Sequence, residues 1–146
     1  MYRASDLLSL LRRLQRCYDR QVSEMGARYG LTATEVSILL FLDSHPQKDT
    51  ARDIAELRGL PKSCVSRAVD SLIRQGFLTS CEDIRDRRIL HLSIQPAADR
   101  LMADARTTQE DFFRRICRGF SPQEQKICRQ LAQKLSDNLH TEECSY

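Results

Sequence analysis

The sequence predicts a mostly helical α+β fold: six helices with one short β-hairpin between the fourth and the fifth. Three observations carry that expectation. Apolar residues recur at steps of three and four through most of the chain. The pattern changes to strand-like over residues 77–81 and 89–94, where Leu90, Leu92 and Ile94 alternate onto one face. Glycines and prolines stand where helices should stop and start.

Residues 5–29 read as a long first helix with an apolar line of Leu7, Leu11, Leu14, Tyr18, Val22, Met25 and Tyr29. Arg12, Arg13, Arg16 and Arg20 fall off that line and are expected in solvent. Gly30 ends the helix. Thr32 or Thr34 caps a second helix reaching Asp43, with Val36, Leu39, Leu40 and Phe41 as its apolar face. His45-Pro46 closes it, because a residue before proline avoids the helical region. Thr50 caps a short third helix whose apolar residues are Ala51, Ile54, Ala55 and Leu57.

Arg58-Gly59-Leu60 is a turn, and Pro61 suits the first position of a fourth helix that stops at Gly76. Val65, Ala68, Val69, Leu72 and Ile73 make one face of this helix. Lys62, Ser63, Ser66, Arg67, Asp70 and Arg74 make the other. The two strands flank a polar tip at residues 82–88. Pro96 opens a fifth helix carrying Leu101, Ala105, Thr108, Phe112 and Ile116, and Gly119 breaks it. Ser121, with Glu124 after it, begins a sixth helix lined by Ile127, Leu131, Leu135 and Leu139. The tail is expected to fray from His140.

A chain of 146 residues with 41% hydrophobic content can bury a core, as one domain or as a small domain with helical extensions. No apolar run approaches the roughly 18 residues of a membrane span. The first six residues lack the layout of a signal peptide. A cytoplasmic protein is therefore expected. The six cysteines, Cys17, Cys64, Cys81, Cys117, Cys128 and Cys144, contain no CxxC pair. They read as reduced thiols, mostly buried or incidental. His45, His91 and His140 lie far apart, and the sequence holds no HExxH, GxSxG or glycine-rich phosphate loop. Neither an enzyme nor a metal or cofactor site is indicated.

Net charge is +3, divided as +1 over residues 1–46, +2 over 47–95 and 0 over 96–146. Bulk charge alone does not point to nucleic acid; local clustering does. Two short helices, a glycine turn, a helix with a polar outer face and then a hairpin describe a winged helix-turn-helix. Lys62, Ser63, Ser66 and Arg67 supply the ammonium, hydroxyl and guanidinium groups that reach base edges and phosphates in a major groove. Arg85, Arg87 and Arg88 crowd onto a thin loop of the kind that enters a minor groove. Asp83 and Asp86 are expected to hold those arginines by charge-assisted hydrogen bonds. The competing reading is a winged helix used only for protein contacts.

Three stretches resemble the MarR family, the multiple antibiotic resistance regulators. They are LTATEVSIL at 31–39, LPKSCVSRAVDSLIRQGFL at 60–78, and DIRDRR at 83–88 followed by LSIQP at 92–96. The resemblance runs from the first helix to Leu139. It implies a DNA-binding regulator, more often a repressor, that is an obligate homodimer. Residues 5–30 and 96–139 would form the dimerisation region and 31–95 the reading head. It carries over Lys62, Ser63, Ser66 and Arg67 as major-groove and phosphate contacts, and Arg87 and Arg88 as wing contacts. Cys64, His91 and Gln95 depart from the commonest family pattern.

A twofold dimer would set two recognition helices roughly 34–36 Å apart on a pseudo-palindromic double-stranded DNA operator. The resemblance also implies release from DNA by a small aromatic or phenolic effector, or by thiol oxidation. For the first, it suggests a cleft between the dimer helices and the reading head. Tyr18, Tyr29 and the arginines of the first helix can line such a cleft, although the spacing of the tyrosines favours core packing. For the second, Cys17 beside Arg13, Arg16 and Arg20 is the first candidate and Cys64 the second.

Overall fold

Reciprocal side-chain caps decide where several of the helices begin. The computed structural model describes residues 3–143, with side chains described through Leu139. Its elements are α1 (Ala4–Ala27), α2 (Ala33–Ser44), α3 (Ala51–Arg58), α4 (Lys62–Arg74), β1 (Leu78–Glu82), β2 (Leu90–Ile94), α5 (Asp99–Ile116) and α6 (Pro122–Glu143). Of the two threonines that could cap α2, Thr32 does so. Its hydroxyl accepts from the Glu35 N–H at 3.2 Å, while the Glu35 carboxylate accepts from the Thr32 N–H at 2.8 Å. Thr50 and Asp53 repeat the arrangement at α3, and Ser121 and Glu124 at α6. This closed exchange lets Glu35 sit buried at a helix start.

Several boundaries move for local reasons. Helix α1 stops at Ala27 rather than Tyr29, because the Leu31 N–H turns back to the Gly26 carbonyl and Gly30 adopts a φ of 71°. Phe77 remains in the turn that ends α4, donating its N–H to the Leu72 carbonyl, so β1 begins one residue later than expected. Ile89 precedes β2 because its N–H and carbonyl close the hairpin tip, on Asp86 and Asp83 respectively. Pro96–Ala98 form a single 3-10 turn before α5. Helical backbone continues past Leu139 to Glu143. Fraying expected from His140 is thus not seen in the backbone to Glu143; the side chains from His140 onward, and Cys144 with the last two residues, lie outside what is described.

The chain forms two compact units, Met1–Glu110 and Asp111–Tyr146, with the division inside α5. In the first unit α2 is the central element. Ile38 and Leu42 are buried along with Val36, Leu39, Leu40 and Phe41, so its apolar face is wider than the sequence pattern predicts. Around it pack Val22 and Met25 of α1, Ile54 of α3, Val65 and Leu72 of α4, Leu78 and Leu92 of the hairpin, and Leu101, Met102 and Ala105 of α5. Polar ties supplement this packing: the Tyr29 hydroxyl donates to Asp104 at 2.5 Å, and Gln109 donates to the Tyr18 hydroxyl at 3.1 Å. The apolar line of α1 divides. Its C-terminal half enters the core, whereas Leu7 and Leu11 are exposed. In the second unit Ile127, Leu131, Leu135 and Leu139 of α6 are all exposed. Among the described residues, no helix is long and apolar enough to cross a membrane.

Candidate nucleic-acid interface

Helix α3 is short because Gly59 takes the left-handed conformation at φ 61° and donates its N–H to Ala55, and the next N–H, from Leu60, returns to the same carbonyl. The chain turns there and Pro61 leads into α4. One side of α4 is sealed into the core by Val65, Ala68, Val69 and Leu72. Lys62, Ser63, Ser66 and Arg67 share the exposed side. The first turn of α4 carries no acidic side chain, so the positive end of its dipole stands beside Lys62 without a local carboxylate to offset it. The Arg67 guanidinium folds back along that turn, with Nε 3.4 Å from the Ser63 carbonyl and Nη2 3.9 Å from Cys64 Sγ.

The wing follows directly. Strands β1 and β2 pair antiparallel from Leu78 opposite Ile94 to Glu82 opposite Leu90. Leu78 and Leu92 anchor the hairpin to the core, and the loop beyond it is built by two aspartates. Asp83 Oδ1 accepts from the backbone N–H groups of Arg85 at 2.8 Å and Asp86 at 3.0 Å. Asp86 accepts from the Arg88 N–H at 3.0 Å, and its two oxygens take Arg88 Nε at 3.1 Å and Nη2 at 3.2 Å. Asp86 thus grips a guanidinium, whereas Asp83 shapes the backbone that carries Arg85. Arg87 Nε lies 3.9 Å from Glu82. Arg85, Arg87 and Arg88 are all exposed.

Asp83 has a further partner that sequence reasoning missed. Its Oδ2 lies 2.9 Å from His91 Nε2, and His91 Nδ1 lies 2.8 Å from Asp49 Oδ1. These contacts, His91 first and then the two backbone N–H groups, pull the Asp83 carboxyl down to about 2. The hydrogen bonds to Asp83 and then Asp49 raise His91 above its ordinary value. The Arg88 guanidinium holds the Asp86 carboxyl below its ordinary range. In sequence His91 is only an interruption in an apolar strand. Its position eight residues after Asp83 across a tight hairpin was the available signal, and Asp49 gave none.

The thiols correct one expectation. Cys17, Cys81 and Cys128 are exposed, Cys64 is half-buried, and of the five described only Cys117 is buried. A solvent-facing position on a helix, as for Cys17 and Cys128, or on a strand, as for Cys81, has room for a thiol at no packing cost, so burial does not follow from residue type. Cys17 sits in a shallow depression with Arg13, Arg16 and Arg20. A separate cleft of about 370 Å³ is lined by Gln15 and Asp19 of α1, Ser37 of α2, and Leu57, Arg58 and Leu60 around the turn. The Arg58 guanidinium donates to the Ser37 hydroxyl there. Tyr18 and Tyr29 pack against the core instead.

Residues 29–89, from the end of the first helical segment through the wing tip, match the sequence model of the MarR family. The chain is 31% identical over 133 residues to the HTH-type transcriptional regulator YwaE of Bacillus subtilis (strain 168), covering 91% of this chain and 77% of that protein. It belongs to the MarR family. Its fold superimposes on the crystal structure of MarR with a TM-score of 0.83 at 20% identity, covering 100% of this chain and 99% of that one. The transcriptional regulator PA3341 gives 0.79 at 26% identity, covering 92% and 98%. The chain is thus a MarR-family DNA-binding transcriptional regulator, and the six helices with one hairpin are the family's winged helix.

Proposed function

We propose that this MarR-family chain is a homodimeric, cytoplasmic repressor that reads a pseudo-palindromic operator and is released from it by a small aromatic or phenolic effector. Lys62, Ser63, Ser66 and Arg67 enter the major groove. Arg85, Arg87 and Arg88 approach the adjoining minor groove and backbone. One observation carries the DNA-reading geometry: the cationic side of α4 is exposed along its first two turns while its opposite side, and the root of the arginine-bearing hairpin, are fixed in the same core. A rigid scaffold beneath both elements lets them meet one duplex together.

The dimer is supported by apolar surface that a single chain leaves uncovered, namely Leu7, Leu8, Leu10 and Leu11 on α1 and the four-residue line on α6. The effector is supported by the cleft at Arg58, whose guanidinium and neighbouring Leu57 and Leu60 suit a small molecule with one polar and one apolar side. Selection of bound duplexes from a random pool tests the reading. Enriched sequences should contain inverted half-sites about one helical turn apart. A pool that stays random after repeated rounds would refute it.

A further inference from the structure

Both ring nitrogens of His91 face carboxylate oxygens, at 2.8 and 2.9 Å. A neutral imidazole has one N–H; its other nitrogen is a lone pair that would oppose the second carboxylate. Only the imidazolium donates to both, so the geometry itself selects the charged ring. The two carboxylates come from different parts of the fold. Asp49 lies in the segment that leads into α3, where its carbonyl accepts the Leu92 N–H at 2.8 Å and Thr50 bridges to His91. Asp83 is the residue whose other oxygen shapes the loop carrying Arg85 and Asp86, and Asp86 in turn holds Arg88.

We propose that His91, as an imidazolium, is a positioning residue that clamps the wing loop to the helix-turn-helix and makes DNA affinity depend on proton concentration. The inference rests on the wing contacting DNA. Protonated, His91 completes an unbroken series from Asp49 through Asp83 to the arginine loop. When the proton leaves, one carboxylate loses its donor and faces a lone pair, and the loop loses that restraint.

The ionised groups bearing on the ring are Asp49 from the segment before α3 and Asp83 from the wing loop. Across the hairpin stands Cys81, whose thiol is turned to the Glu82 carbonyl. The nearby Asp53 carboxylate is occupied by Thr50. Both carboxylates raise the proton affinity of His91, the hydrogen bond to Asp83 being the largest single cause and that to Asp49 the next. A raised value means the clamp is complete below the ordinary histidine range, persists through it, and is lost as pH rises through the higher value that His91 has in the folded protein.

The test uses the full-length protein and a duplex recovered from the random-pool selection. Affinity is measured from about pH 6 to about pH 8.5 for the wild type, His91→Gln and Arg87→Ala/Arg88→Ala. Imidazole NMR shifts of His91 are followed in the free protein and in Asp49→Asn. Wild-type affinity should fall several-fold as pH rises. His91→Gln should bind weakly with little pH dependence, and the His91 titration should move to lower pH in Asp49→Asn. A His91→Gln profile that parallels the wild type, or an unmoved titration, overturns the proposal while the wing reading stands if the arginine variant still loses affinity. An arginine variant that binds like the wild type overturns the wing reading and the proposal with it.

Discussion

Asp43 receives two donors from Arg106, Nη2 at 2.6 Å and Nε at 2.8 Å, which joins the last turn of α2 to α5. The pair is partly exposed, with Arg106 the more solvated partner, so it resembles a surface ion pair with favourable two-point geometry. Removing it by Arg106→Gln is expected to cost roughly 0.5–1 kcal/mol at neutral pH. The Arg106 hydrogen bond holds the Asp43 carboxyl below its ordinary value. That contribution is therefore present above the unfolded-state carboxyl range and is lost as pH falls through the lowered folded value. Urea unfolding of both proteins should show a gap that narrows below about pH 4. A gap unchanged in acid would contradict the assignment.

Gly26 is where α1 meets the start of α2. A Cβ built there would lie 2.9 Å from the Leu31 carbonyl oxygen and 2.9 Å from Val36 Cγ2. The first obstacle is backbone and the second a fully buried side chain, so neither can yield cheaply. Ordinarily alanine is favoured over glycine in a helix by about 1 kcal/mol. Here the clash should outweigh that preference, and Gly26→Ala is expected to destabilise by about 1–3 kcal/mol. Chemical denaturation measures it, and a stabilised variant would show that the two helices have room to separate.

On α6, Leu131 and Leu135 are 55% and 53% exposed in the single chain, which is far from where leucine normally resides. If a second copy covers them, Leu131→Glu/Leu135→Glu places charges in that interface. Light scattering should then report 16.9 kDa in place of twice that mass. Helix content should be nearly retained, because neither side chain packs in the core. A wild-type protein that is already monomeric at micromolar concentration would remove the basis for a two-half-site operator.

Periodicity made the helices legible because most carry one apolar stripe, whether packed in the core as on α4 or left exposed as on α6, and the hairpin was legible because its alternation stands out against them. Boundaries were less so. Where α1 ends depends on Gly26 and Gly30 acting through a backbone turn, and no apolar count registers that. The reach of Lys62, Ser63, Ser66 and Arg67 along one face follows from helical spacing, and the structure exposes all four. The roles of the wing aspartates were half visible. A carboxylate beside arginines suggests ion pairing, as Asp86 has with Arg88, but not the backbone turn that Asp83 builds. The Asp49–His91 contact spans 42 residues and exists only because the hairpin folds back on the segment before α3.

Salt dependence of duplex binding examines the joint engagement of α4 and the wing most directly. For the wild type on a selected duplex, the logarithm of affinity should fall steeply and linearly with the logarithm of salt concentration, as phosphate contacts release counterions. Arg87→Ala/Arg88→Ala should bind more weakly, with a slope shallower by roughly one for each arginine that neutralises a phosphate. A double variant with wild-type affinity and an unchanged slope would mean that the wing does not touch the DNA read by α4.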